Sequence, residues 1–247
     1  MDRSVYLAMH AMERSHWWFV ARREILLRVT GHFLRPGARL LDVGCGTGFF
    51  LEAARERFDA WGVDMSPLAV SMCHERGLTQ VAEGSAYDLT GAPGPFDGAC
   101  FFDVIEHLDD DLGALRTAHA ALADDGLVFV TVPAFQFLWS RHDEIHHHRR
   151  RYDRARLGRV LRAAGFDPVH LTYFNFALFP AAALARLGGR LVGRSASTDL
   201  ATPAAPLNVP MRRVFEAEKH WLVGRGRARR FPFGLSLLAV ARKRPAA

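Results

Sequence analysis

From residue 38 onward the apolar positions alternate between two patterns, short unbroken runs and residues recurring at helical spacing. ARLLDVG (38–44) is a run closed by glycine and reads as a buried strand, and Gly48 to Phe58 follows with helical spacing. AWGVDM (60–65) is a second short strand. Ser66 then supplies an N-cap and Pro67 a first helical residue, which predicts a helix through Arg76. Strands are predicted at Gln80–Glu83, Ala99–Asp103 and Leu127–Val132, with a helix from Asp110 to Leu122 between the last two. Asp153–Ala164 is amphipathic and ends at Gly165 in the C′ position. Pro168–Phe174 and the strongly apolar Gly234–Lys243 complete the strands. Strands alternating with helices of this length bury both faces of a sheet, so the expected fold is α/β, a doubly wound, mostly parallel, seven-stranded sheet.

Two segments fall outside this alternation. Residues 1–34 are predicted as an N-terminal helical lid. Within them HWWF (His16–Phe19) is too aromatic for a solvated terminus; it either joins the core or roofs the pocket, and the roof is the preferred reading. Residues 35–247 form the main domain, with a lid insertion over 176–232. The insertion holds an apolar helix around Phe176–Leu191, a Ser/Thr/Ala/Pro stretch (Ser195–Pro206) and an amphipathic helix at Met211–Val223. The middle stretch has too few large apolar residues to offset its ordering entropy and reads as a mobile linker. The apolar helix is broken by Pro180 and Arg186 and falls short of the roughly 20 residues a spanning helix needs. Residues 174–191 therefore read as a substrate lid, a peripheral contact with a membrane surface or a dimer face.

Composition narrows the class. At 247 residues and 49% hydrophobic, the chain suffices for one large core domain. The net charge of +6 and the pI of 9.8 rest on arginine, because lysine occurs only at Lys219 and Lys243. Such a balance suits nucleic acid, acidic lipid headgroups or a simple bias in base composition. Cys45, Cys73 and Cys100 lie far apart with no CxxC spacing, as reduced, buried thiols of a cytosolic protein do. The first residues carry Asp2, Arg3, Glu13 and Arg14 and no continuous apolar core, which argues against a secretory signal. The expected location is cytoplasmic, at most peripheral to the inner membrane face.

A strand, a glycine turn and a helix N-terminus let backbone approach a ligand closely. In LLDVGCGTGFF (Leu40–Phe50) Gly44, Gly46 and Gly48 take the first, third and fifth positions. A dinucleotide fingerprint wants the first, third and sixth, where Phe49 stands, and no GK[ST] follows to make a phosphate-binding loop. LDVGCGTG (Leu41–Gly48) instead resembles the first motif of the class I S-adenosylmethionine (SAM) methyltransferases. GVDMSP (Gly62–Pro67) resembles their second motif and FDGACFFDVIEHLDD (Phe96–Asp110) their fourth. ALADDGLVFVTVPA (Ala121–Ala134) resembles the strand that follows, with Asp125 in the usual first glycine position. The similarity covers residues 35–170, and HWWF.ARR and RRRYD…L…L…GF look like one bacterial small-molecule subgroup.

The resemblance implies a Rossmann-like sheet and SAM as cofactor. Gly44, Cys45, Gly46 and Gly48 would lie along the methionine and ribose portions, and Asp42 would receive the α-ammonium. Asp64, about 20 residues on, would accept from the ribose hydroxyls. Met65 would pack on adenine. Ser85 stands where an aspartate is expected for the adenine amino group, so Ser85 or the Ala86 backbone would substitute. Asp103 would lie near the methionine portion, and Arg23, or its neighbour Arg22, would meet the SAM carboxylate.

Methyl transfer is an in-line displacement at a sulfonium; orientation supplies most of the rate, and a base is needed only when the nucleophile must lose a proton. Glu106 and His107 follow the fourth strand at the carboxyl edge of the sheet, and His107 is a base suited to neutral pH. The predicted catalytic set is His107, Glu106 and His146, against the plainer reading that Glu106 and His107 cap the next helix. SRHDEIHHHRRRYD (Ser140–Asp153) adds His142 and His146–His148. Acid-plus-histidine metal sites resembling this occur in some SAM enzymes acting on RNA 2′-hydroxyls and in ubiquinone-pathway O-methyltransferases, but those carry glutamate where Asp103 stands. The expectation is a substrate-covering loop without metal. The predicted function is methyl transfer to O or N of a small-molecule or lipid-like metabolite. A nucleic-acid acceptor is disfavoured, since FFDVIEHL replaces [DN]PP[YF], no PC dipeptide occurs and two lysines cannot build a Lys-Asp-Lys-Glu tetrad. A non-methyl reaction of SAM and a non-catalytic SAM-binding role are the remaining alternatives.

Overall fold

The computed structural model describes residues 3–184, 205–224 and 227–245. Its strands are β1 (Arg39–Val43), β2 (Asp59–Asp64), β3 (Val81–Glu83), β4 (Phe96–Phe102), β5 (Leu122–Pro133), β6 (Phe166–Phe174), a short ribbon of β7 (Val223–Gly224) with β8 (Arg227–Ala228), and β9 (Ser236–Lys243). Seven of them make one sheet in the order β3-β2-β1-β4-β5-β9-β6. β9 alone runs against its neighbours, slotted antiparallel between β5 and β6. The long stretch Leu127–Val132 is buried throughout, as a strand covered on both faces requires. The expected doubly wound, Rossmann-like sheet is therefore observed, strand for strand.

Parallel pairing forces helical crossovers, and local capping fixes where they begin. The helices are α1 (Arg3–Met12), α2 (Trp17–Phe33), α3 (Phe49–Ala54), α4 (Pro67–Glu75), α5 (Asp111–Ala121), α6 (Arg141–Ile145), α7 (Arg154–Ala163), α8 (described over 179–184) and α9 (Ala205–Leu222). The Ser66 hydroxyl accepts from Ala69 N–H ahead of α4, and Asp110 and Asp153 do the same for Gly113 and Arg156 ahead of α5 and α7. Gly165, at φ 94°, follows α7 as predicted. Chain order reverses between β1 and β4, so a crevice opens at their carboxyl ends, where sheets of this kind bind ligands.

Differences from the sequence reading are local. α3 ends at Ala54, before Phe58, and β5 starts at Leu122, with a bulge opposite Phe96–Gly98. α9 begins at Ala205 and carries Pro210 within it, upstream of the expected Met211. Most of the predicted linker (195–204) and the second half of the 176–191 helix lie outside the described residues. HWWF is built into the body: Trp17 and Trp18 pack against the main core, and Ala21, Ile25, Leu26 and Val29 of the same helix are buried in it. The Trp17 ring meets Phe215 of α9 edge-on at 5.9 Å, and the Trp17 backbone N–H donates to Asn208 Oδ1 at 2.8 Å. α2 thus joins the sheet to the insertion.

Candidate active site

The glycine turn is shaped by backbone demands. Gly44, Gly46 and Gly48 have φ of 73°, 55° and 79°, a region costly for any side-chain-bearing residue. A Cβ on Gly48 would strike Leu78 and Cys73 at 2.6 and 2.8 Å, whereas one on Gly46 would meet nothing within 4 Å. Gly48 therefore serves packing, and Gly46 faces open space in the crevice. Asp64, at the end of β2, is buried; it accepts from Gly46 N–H at 2.8 Å and Ser66 N–H at 2.9 Å, and so ties β2 to the turn. Asp42 is buried at the end of β1, and burial, with the Asp64 charge beside it, raises its carboxyl to about 8. A cationic group placed there would recover the charged form. Met65 is 70% exposed, which removes the core-packing reading. Cys45 is buried and its thiol raised by Cys73 and by burial. Ala86 is buried, while the Ser85 hydroxyl accepts from Tyr87 N–H at 3.2 Å and so closes its own turn.

Two arginines of α2 reach this region and are used differently. Arg22 is buried and ion-paired to Asp103 at 2.5 Å, and it donates to Thr131 Oγ1. Asp103 itself is held at φ 59° just beyond β4. Arg23 lies with its guanidinium 4.2 Å over the Phe49 ring, against the helix that leaves the glycine turn. The buried Arg23 Nε and Arg22 Nη1 both lack a hydrogen-bond partner, so each keeps one N–H for an incoming carboxylate, while Arg22 is already committed to Asp103 through Nη2.

Across the crevice, Glu106 is fully buried and neither carboxylate oxygen has a hydrogen-bond partner. Burial, with Asp103 nearby, pushes its pKa well up. It does not cap a helix, since α5 begins at Asp111 under its own cap, Asp110. The donor atoms of Glu106, His107 and His148 lie within 4.8 Å of one another. Burial, together with His148 and His146, lowers His107 to about 3. This corrects the expectation of a neutral-pH base: His107 stays uncharged, but its protonated form is strongly disfavoured.

His148, not the predicted His146, completes the group. The His146 ring sits against His142 at 4.2 Å. His148 Nδ1 donates to Asp143 at 2.8 Å, so a neutral ring presents its Nε2 lone pair. Asp143 is fixed in turn by Arg151 Nε and Nη2 at 2.8 and 2.9 Å and by Ser140 N–H at 2.7 Å. Three identical residues in a row, His146–His148, gave no basis for choosing among them. The Ser140-to-Asp143 capping spacing was the available signal for the anchor. Nothing in the local sequence marked Thr131 or the Arg22 pairing, which depend on contacts across the fold.

The geometry defines an α/β domain with a glycine turn and the buried Asp42 and Asp64 at the carboxyl ends of β1 and β2, and after β4 a buried glutamate grouped with two half-buried histidines. The methyltransferase-domain model matches residues 16–171, and the chain belongs to this family. It is 35% identical over 134 residues to the ubiquinone biosynthesis O-methyltransferase of Azorhizobium caulinodans, covering 50% of this chain and 52% of that protein. The chain thus spans about half the length of the curated relatives it matches. Among solved structures, a SAM-dependent methyltransferase from Archaeoglobus fulgidus superposes with a TM-score of 0.63 at 20% identity, over 98% of this chain and all of that one. The [4+2]-cyclase SpnF superposes at 0.55 with 22% identity, over 90% of this chain and 81% of that one. These structural likenesses speak for the fold alone.

Proposed function

We propose that this chain transfers the SAM methyl group to an oxygen of a small molecule. The observation that carries the reading is the buried, partnerless Glu106 carboxylate grouped with His107 and His148 at the carboxyl edge of the sheet. A thioether or free amine is nucleophilic already, whereas a hydroxyl must lose a proton, and this group supplies acceptors for one. Asp42 would hold the α-ammonium, Arg23 the carboxylate and Asp64 the ribose, with Met65 under adenine and the Gly44–Cys45–Gly46–Thr47–Gly48 backbone along the rest. Ser85 and Ala86 would border the adenine. The O-methyltransferase relative supports an oxygen acceptor of the small-molecule class; the HWWF segment supports the bacterial subgroup. The described residues contain no helix long and apolar enough to cross a membrane.

How the proton leaves follows from the electrostatics. His107, disfavoured as an imidazolium, would receive the proton only in passing. Asp143 stands behind His148 to offset positive charge there. A second arrangement uses the same atoms: one carboxylate and two neutral imidazoles, one oriented by a carboxylate behind it, are the donor set of a divalent-cation site. Glu106, with both oxygens partnerless, His107 and His148 would hold the ion. When bound, such an ion lowers the pKa of a ligated hydroxyl. The expectation of a metal-free site is thereby placed in competition.

The test is turnover of SAM to S-adenosylhomocysteine with phenolic and aliphatic alcohol acceptors, before and after chelation, with metal content measured on the purified protein. Glu106→Gln or His148→Ala that loses both activity and bound metal supports the cation arrangement. Chelator-resistant activity with His107→Ala slowed by roughly 10²- to 10⁴-fold supports the base. Cofactor binding with no acceptor turned over, but with cyclised or aminobutyl-transfer products, would overturn O-methylation.

A further inference from the structure

Tyr6 is the residue of the cofactor cleft that no motif contains. It lies on α1, buried against Ala69 and Met72 of α4, and its hydroxyl donates to Asp64 Oδ1 at 3.3 Å. Burial and the neighbouring Asp64 charge raise its pKa, so the phenol stays protonated and remains a donor. α1 is held down by a second set of contacts just beyond its end. Glu13 is buried, ion-paired to Arg76 and bonded by the Thr47 hydroxyl of the glycine turn, while Arg14 meets Glu52 at 2.7 Å. The N-terminal segment therefore bridges the cleft, from the glycine turn and α3 on one side to Asp64 and α4 on the other.

Counting acceptors at Asp64 gives the consequence. A carboxylate offers about four lone-pair sites. Gly46 N–H, Ser66 N–H and Tyr6 O–H take three of them. A ribose presents two vicinal hydroxyls, and Asp64 with Tyr6 in place has room for one. The Tyr6 oxygen, donating its proton to Asp64, has lone pairs left for the other.

We propose that Tyr6 is a cofactor-recognition residue and that the ribose diol of SAM is read by Asp64 and Tyr6 together, one hydroxyl each. This rests on the assignment of SAM to the cleft. α1 then belongs to the cofactor site, closing over the ribose and carrying a specificity contact.

Calorimetric titration of the full chain with S-adenosylhomocysteine and with its 2′-deoxy and 3′-deoxy analogues tests this on the wild type and on Tyr6→Phe, which keeps the ring packing. Tyr6→Phe should weaken S-adenosylhomocysteine by about 3- to 10-fold, the range for one hydrogen bond. For one of the two deoxy analogues it should cause no further loss, since that ligand already lacks the partner hydroxyl. Equal weakening of all three ligands, or none, would overturn the proposal and leave Tyr6 a packing residue. A wild-type protein that binds none of the three would overturn the cofactor assignment and this inference with it, an outcome separable from the first without any variant.

Discussion

At Asp125 the backbone turns with φ of 62° inside the bulge of β5, a conformation that aspartate tolerates and glycine adopts freely. This accounts for glycine in the resembling motif. The Asp125 carboxylate meets Arg242 only at 3.6 Å on an exposed surface, a contact of little weight. Asp125→Gly should therefore stabilise the protein by about 0.5–1 kcal/mol. A thermal melt would register a rise of about 1–4 °C for a chain of this size.

Asp42 carries a second prediction at the same scale. Its folded carboxyl sits at about 8, against 3.8 unfolded. The folded state thus holds a proton that the unfolded state has lost across that window, and stability falls as pH rises through it. A ligand ammonium beside the carboxylate offsets the loss. The melting-temperature gain on adding S-adenosylhomocysteine should be larger at about pH 8.5 than at about pH 6, and Asp42→Asn should flatten the difference. The turn glycines, Asp42 and Asp64 were legible in sequence because local φ demands and strand-end spacing leave a local trace. The partnerless Glu106 and the choice of His148 left none, since they are set by what the rest of the fold fails to bring near.

At the scale of elements, the junction between β6 and α9 hangs on one side chain. Glu218, buried on α9, accepts from the N–H groups of Asn175, Phe176 and Ala177 at 2.7, 2.8 and 3.1 Å, just where the chain leaves β6 with Asn175 at φ 57°. Burial raises the Glu218 carboxyl, and those three donors work in the opposite sense. Glu218→Ala strands three donors and should cost about 1–3 kcal/mol in urea unfolding, while Glu218→Gln, which keeps an acceptor, should cost less. The alternation of strands and helices from 38 to 174 was readable because periodicity there is driven by burial on the sheet. The start of α9 and its packing on α2 through Trp17 and Phe215 were not, because the partners are far apart in sequence.

For the whole molecule the open question of composition was what the arginines are for. Arg22 is directed inward to Asp103, Arg76 to Glu13 and Glu52, and Arg151 to Asp143 and the Ala134 carbonyl, while Arg39 is tied at the surface to Asp59 and two proline carbonyls. Even in the RRR run, Arg149 and Arg150 face Asp109 and Asp111, so that the basic loop is paired to the acids ahead of α5. Each pair uses one acid and one arginine, so these contacts explain how individual arginines are used and leave the excess of +6 on the remaining basic residues. Phosphate binding releases counterions, so affinity for nucleic acid falls steeply with salt in proportion to the phosphates neutralised. The arginines held in these pairs are not offered to phosphates. Fluorescence anisotropy with short single- and double-stranded DNA and RNA should accordingly show weak, sequence-independent retention at low salt that vanishes by about 200 mM. A sequence- or structure-selective complex that survives that salt would show that the paired arginines open toward a nucleic-acid partner, and would overturn the small-molecule acceptor in favour of a nucleic-acid one.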